Sequence, residues 1–147
     1  MRPKAVISSR SALNGYQKGK CFYCFGNIMQ SENVTDTDVD HFFPHSLKQL
    51  GFGAQVYGFW NLVLSCTACN RGLNGKFARI PSIRLLERLH KRNEFLISSH
   101  HPLRETLIAQ AGNDVVARIG FFNHVHGRAS ATLFNPWEPK EQQPPLF

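Results

Sequence analysis

No apolar run in this chain of 147 residues approaches the length of a membrane span. The basic start, Met1-Arg2-Pro3-Lys4, is followed by only Ala5, Val6 and Ile7 before Ser8, Ser9 and Arg10, too short a stretch for a secretory signal. The cytoplasm is therefore the expected compartment. Cysteine is scarce, with four residues in all, and in a reducing cytoplasm paired cysteines favour a metal over disulfides. There is no internal repeat. The one biased segment is the tail from Asn135, where Pro136, Pro139, Pro144 and Pro145 block regular structure; Trp137 is expected to pack and the rest to fray. An apolar fraction of 42% with 12 Phe argues against wholesale disorder and against a disulfide-dense secreted scaffold. Length points to one domain with one core.

Charge of one sign is missing from long stretches. Residues 1–20 carry five Lys or Arg and no acid, whereas residues 21–47 carry Glu32, Asp36, Asp38 and Asp40 and no base. An acidic island thus sits in a chain of net charge +7. Basic surface attracts phosphate polymers, and clustered carboxylates suit a hard divalent cation. Charge alone is equally compatible with a merely basic soluble protein.

The cysteines form two pairs, Cys21-Phe22-Tyr23-Cys24 and Cys66-Thr67-Ala68-Cys69, each with the two-residue gap that lets thiolates grip one tetrahedral ion. Buried thiols or two disulfides are the alternatives; the spacing favours structural zinc held by all four. The pairs are separated by 41 residues, far more than the roughly 15–20 of a simple zinc ribbon, so a sizeable insert lies in the loop that the metal closes. Four thiolates leave no open coordination position, and chemistry must come from elsewhere.

The insert supplies candidates. Val34 to Phe43 is rich in β-branched and aromatic residues and ends at Pro44, which predicts a strand over its later half. Alternation puts Asp38 and Asp40 on one face and Val39 and His41 on the other. Asp40 offers a carboxylate to a cation beside an imidazole that can accept a proton near neutral pH. Gly51 to Gly58 reads as a loop, and Phe59 to Ser65 as a second strand. Cys69 to about Lys76 reads as a short helix whose start would fix Asn70 as a further ligand. The other histidines, His45, His90, His100, His101, His124 and His126, are read as surface, capping or nucleic-acid-facing, with His45 the one of most interest.

Taken in order, Cys21-x2-Cys24, Asp38-Val39-Asp40-His41-Phe42-Phe43-Pro44, Asn61-Leu62-Val63-Leu64 and Cys66-x2-Cys69-Asn70-Arg71 with Lys76 resemble the zinc-containing HNH endonuclease family. The resemblance covers Lys20 to Lys76. It implies an α+β fold with a ββα-metal core around one divalent ion, Mg2+ or Mn2+, and an endonuclease that hydrolyses nucleic acid, DNA by family analogy. It also implies that His41 is the general base, that Asp40 and Asn70 are ligands of the catalytic ion, and that Asn61 orients the histidine. Asn70 fills the place of the family's last histidine, as in many zinc-containing members. The family's setting makes a larger parent chain or defence-system partners an expectation. Lys18, Lys20, Arg71, Lys76 and Arg79 are expected to contact flanking phosphates.

The remaining expectations concern support. A short helix capped by Ser9 or Ser11 should run through Leu13 and Tyr16 and stop near Gly19. The core spans about 18–80, a helical support about 81–128 and the Pro-rich tail 135–147. After Pro81, helical spacing turns Ile83, Leu86, Leu89 or His90, and Leu96 inward, and leaves Arg84, Arg88, Lys91 and Arg92 as a basic outer face for phosphate. Pro102 should open a helix with Leu103, Leu107, Ile108 and Ala111 inward and Gly112 as terminator. Asn113 should cap another through Val116, Ile119 and Phe122. The rival reading is a non-catalytic zinc-dependent nucleic-acid-binding module; a zinc-stabilised protein-interaction domain fits the basic charge and acidic pocket less well.

Overall fold

The computed structural model describes residues 9–28, 37–133 and 135–147. The basic start and the acids Glu32 and Asp36 lie outside the described residues. Helix α1 (Arg10–Gln17) ends at Lys18 in left-handed backbone. It leads into the first cysteine pair, whose turn is closed by an antiparallel bridge between Lys20 and Asn27. Strands β1 (Thr37–His41) and β2 (Leu62–Cys66) pair antiparallel, with Asp38 opposite Ser65, Asp40 opposite Val63 and His41 opposite Leu62. Helix α2 (Thr67–Arg71) follows β2 directly. Three longer helices follow, α3 (Ile83–Ser98), α4 (Arg104–Ala111) and α5 (Val115–Thr132), and an irregular tail ends at Phe147. The architecture is α+β with a two-stranded sheet. No helix among the described residues is long and apolar enough to cross a membrane.

Such a small sheet cannot hold itself together, and side chains extend its hydrogen bonding. The amide of buried Gln17 behaves like one more strand residue: its Nε2 donates to Leu64 O at 2.9 Å while its Oε1 accepts from Leu64 N at 2.9 Å. Phe22 N also donates to Leu64 O, at 3.0 Å. Thus α1 and the first cysteine turn are both stitched to β2.

Several expectations are corrected. The stretch Phe59–Asn61 is a 3-10 turn rather than strand, because the Trp60 indole donates to Gln55 O and the Asn61 side chain bonds Val56 O, which bends the chain back on itself. On α3, Arg88 and Arg92 face inward, and Arg92 is 0% exposed. Arg92 donates to the carbonyls of Leu62, Phe59 and Trp60 and to Asn93 Oδ1, and Arg88 to those of Phe22 and Tyr23. Both guanidiniums also lie over aromatic rings, Arg88 4.4 Å from the Phe25 centroid and Arg92 5.0 Å from that of Phe59. Peptide dipoles and ring faces together replace the water that a buried cation loses. Burial nevertheless pulls Arg92 down to about 9. Ile83, expected inward, is exposed. The expected outer basic face is dismantled further by the tail, whose Glu138 and Glu141 pair with Arg84.

On α5 the N-cap is Asp114, not Asn113, and its carboxylate accepts from Ala117 N. The buried stripe is Arg118, Phe122, Val125 and Ala129, while Val116 and Ile119 are exposed. The bidentate pairing of Arg118 with Glu94, at 2.6 and 2.9 Å, sets this rotation. Pro102 lies before α4 rather than in it, and Gly112 ends that helix at φ 139°.

The tail does not fray. Trp137, 2% exposed, bridges Pro81 and donates its indole N–H to Asn74 O, and its ring meets Tyr23 edge-on at 5.0 Å. Gln142 N donates to Cys24 O, and Phe147 packs on Tyr16, Phe22 and Phe25. Trp137→Ala is expected to cost about 3–5 kcal/mol in denaturant unfolding of the metal-loaded protein; a change below about 1 kcal/mol would mean that the tail is not part of the core.

Candidate metal centre and histidine site

The four cysteine sulfurs lie within 4.8 Å of one another, with Cys24 and Cys66 Sγ 3.8 Å apart. None is in a disulfide. A zinc ion with sulfurs at about 2.3 Å requires tetrahedral edges of about 3.8 Å, so the donor set fits zinc in both chemistry and spacing. Backbone amides are aimed at the sulfurs: Tyr23 N and Cys66 N at Cys21, Gly26 N at Cys24 and Cys69 N at Cys66, each at 3.4 Å. Such donors favour thiolates. Crowding opposes them. Hydrogen bonding from Cys24 pulls the Cys21 thiol down, and the same neighbour relation with Cys21 pushes Cys24 and Cys69 up. Four thiolates this close need a cation, and Cys21, Cys24, Cys66 and Cys69 can hold one such as zinc. The tail roofs the cluster over a cavity of about 500 Å3 lined by Cys24, Cys66, Cys69, Leu73, Trp137 and Gln142, among others.

Beside the cluster, β1 presents two different faces. Asp38 and Asp40 point one way. Asp38 Oδ2 accepts from Asn70 Nδ2 and Arg71 Nε, both at 3.0 Å. Asp40 Oδ2 accepts from the Tyr23 hydroxyl at 2.6 Å and lies 3.2 Å from Lys76 Nζ. Burial pushes the Asp40 carboxyl up, against the opposing pull of the Lys76 ammonium, and pushes Lys76 down. The expectation that Lys76 contacts substrate phosphate is therefore corrected: it is 0% exposed and serves Asp40 and the carbonyl oxygen of His41, 2.9 Å away. Among the other expected phosphate contacts, Arg71 is exposed but paired with Asp38, exposed Arg79 donates to the carbonyls of Asn135 and Pro136, Lys20 bonds Asn27 Oδ1, and Lys18 is exposed.

His41, the last residue of β1, turns to the other face. Its Nδ1 shares a hydrogen bond of 2.8 Å with His45 Nε2, and the Tyr57 ring stands edge-on to both imidazoles. The segment after His41 is locked by Asn61, which is fully buried. Its Oδ1 accepts from Phe43 N at 2.7 Å, and its Nδ2 donates to Phe43 O and Val56 O, both at 2.9 Å. Asn61 is itself flanked by the carbonyls that Arg92 and Asn93 hold, so α3 fixes the histidine segment through two successive layers of hydrogen bonds.

Asp40 and Asn70 thus share a face with Asp38, and His41 occupies the opposite one with His45, the histidine that the sequence singled out without a catalytic role. Tyr23 and Tyr57 were also missed; their partners lie far away along the chain. Beyond the four cysteines, no group of three or more His, Cys, Asp or Glu comes together as a metal site among the described residues. No family model, curated protein or solved structure matches this chain. Any functional reading therefore rests on these residues.

The cluster makes a direct prediction. Purified protein should contain about one zinc per chain, and Cys66→Ser or Cys69→Ser should lower that content and soften the fold. Elemental analysis with thermal melting checks it; full native stability without metal would remove the cluster from the account.

Proposed function

We propose that the chain is a metal-dependent endonuclease of the HNH type, with His41 as general base. The observation that carries this reading is the Asn61 clamp. A buried side chain that closes both backbone bonds of Phe43, two residues after His41, supports the positioning role that the resemblance implies for Asn61. The order of β1, β2 and α2, two antiparallel strands followed by a short helix, supports the same reading, as does the common face of Asp40 and Asn70.

The donors fit a hard divalent ion in a limited way. Mg2+ commonly takes one or two carboxylates and completes its shell with water and substrate phosphate rather than a protein cage, so one carboxylate and one amide among the described residues suffice. Asp40 would hold the ion through the oxygen not engaged by Tyr23 and Lys76, and Asn70 through its amide oxygen; because His41 turns to the other face of β1, base and ion would meet on one phosphate only at the end of the strand. When bound, the ion supplies Lewis acidity to the phosphate and its leaving oxygen. His41 Nε2, which is enclosed in this structure, would have to be uncovered as substrate enters before it could take the proton of the attacking water, and that role requires Nδ1 to carry the proton shared with His45. His45 then sets the reactive tautomer, and Tyr57 limits the swing of both rings. Fixed orientation of this kind matters because a base acts only when aligned with the bond being made.

Replacing His41 by Ala is expected to lower cleavage about 10²- to 10⁴-fold while zinc content and nucleic-acid affinity stay near wild type. Asn70→Ala should instead raise the Mg2+ or Mn2+ concentration needed, with partial recovery in excess metal. Assays on supercoiled plasmid, linear duplex and single strands test this. A folded His41→Ala protein with full activity would overturn the mechanism. Salt-sensitive binding by a wild-type protein that never cleaves would favour a zinc-dependent nucleic-acid-binding module.

A further inference from the structure

Helix α2 is followed by a loop that displays apolar side chains to solvent. Leu73 is 98% exposed and Phe77 is 57% exposed. The loop is not slack. Gly72 N donates to Ala68 O at 3.0 Å, Gly75 N to Gly72 O at 2.9 Å, Lys76 N to Cys69 O at 2.6 Å and Phe77 N to Asn70 O at 2.8 Å. At Gly72 a Cβ would lie 2.6 Å from Ala68 O, so the turn is packed against the helix end. Phe77 itself sits in left-handed backbone at φ 49°, a conformation that is costly for a bulky side chain. The residue before it is the buried Lys76, bonded to Asp40 and His41 O. A rigid, strained turn therefore holds a phenyl ring out in water next to the candidate site, where a core would ordinarily take it in.

The surroundings identify what would cover that ring. From His41 to Leu86 the sequence has no Asp or Glu, while it carries Lys48, Arg71, Lys76, Arg79 and Arg84; of these, Lys76 is buried on Asp40, Arg71 pairs with Asp38 at the surface and Arg84 pairs with Glu138 and Glu141. Arg71 and Arg79 bracket the loop, and both are exposed. Arg79 donates only to uncharged carbonyls in the structure, so its charge is not cancelled by those contacts. An apolar protein surface would gain nothing from the exposed Arg71 and Arg79, and an anionic lipid surface offers no flat face to a single ring, whereas a single-stranded nucleic acid offers both an anionic backbone and flat base faces.

We propose that Phe77 is a stacking platform for an unpaired nucleobase, with Arg71 and Arg79 taking the flanking phosphates and Leu73 covering the adjoining nucleotide. This deepens the nuclease reading and rests on it: the strand presented to the site has at least one base out of the helical stack. A fully paired duplex does not expose a base face in this way. Deoxyribose and ribose strands offer the same face, so the stacking contact itself does not separate DNA from RNA.

Equilibrium binding decides it, with zinc-loaded full-length protein and fluorescein-labelled probes: oligodeoxythymidylate and oligouridylate of about 12 nucleotides and a blunt DNA duplex of equal length. Phe77→Ala should weaken single-strand binding about 5- to 150-fold, leave duplex binding within about twofold, and leave the slope of log affinity against log salt unchanged, because no charge is removed. Phe77→Trp should bind at least as well as wild type. Phe77→Asn guards against a folding artefact, since Asn accepts left-handed backbone yet offers no ring, and it should bind like Phe77→Ala. Arg71→Ala should reduce the salt slope by about 0.7 on single strands. Unchanged single-strand affinity in Phe77→Ala and Phe77→Asn, or an equal loss on duplex and single strand, overturns the stacking platform alone. A wild-type protein that binds none of the probes overturns the nuclease reading together with it.

Discussion

Four sulfurs confined within 4.8 Å cannot all be thiolates without a cation between them, and the cluster they form ties much of the remaining structure together. The cluster ties the turn after α1 to the junction of β2 and α2, closing a loop that contains all of β1 and the turns leading to Asn61. A two-stranded sheet of five-residue strands has little stability of its own. Zinc binding in small domains contributes on the order of 10 kcal/mol of folding free energy, ample for this task. Because Asn70 follows Cys69, and Tyr23 lies between the first two cysteines, the same constraint sets the partners of Asp38 and Asp40.

A second layer of support comes from positive charge in the interior. Arg88, Arg92 and Lys76 are all buried. Arg88 gathers carbonyls of the first cysteine turn, Arg92 those on either side of Asn61, and Lys76 the end of β1. Each replaces water around peptide oxygens that would otherwise be left in a dry interior, where an unmet polar group costs roughly 1–3 kcal/mol. The helical half of the chain thereby acts on the histidine segment through hydrogen bonds as well as through apolar packing. The tail joins the same network, since Glu138 and Glu141 sit on Arg84 and Gln142 caps Cys24 O.

Parts of this were legible in the sequence because they are local. The cysteine pairs announce themselves by spacing, Thr37 to His41 by β-branched alternation, and Gly112 by its place after an apolar helix face. The order Asp40, His41, Asn61 and Asn70 brought the candidate residues forward before their geometry was known. What stayed hidden is non-local. Helical periodicity assigns Arg88 and Arg92 to solvent, because it has no knowledge of carbonyls left without partners on a distant turn. The Pro-rich tail lacks any repeating pattern, although Trp137 and Phe147 find aromatic partners near the first cysteine pair. Lys76 looks like a phosphate contact until Asp40 is placed beside it. His45 gains meaning only when its ring meets that of His41.

Whether this arrangement depends on one metal ion can be measured by titrating zinc into the metal-free, reduced chain while following far-ultraviolet circular dichroism and tryptophan fluorescence. Trp60 and Trp137 are both buried, and the latter packs against Tyr23. The account predicts a poorly ordered chain that gains native ellipticity and tryptophan burial together, with the transition complete at about one equivalent of zinc. A native spectrum before any zinc is added, unchanged across the titration, would contradict it.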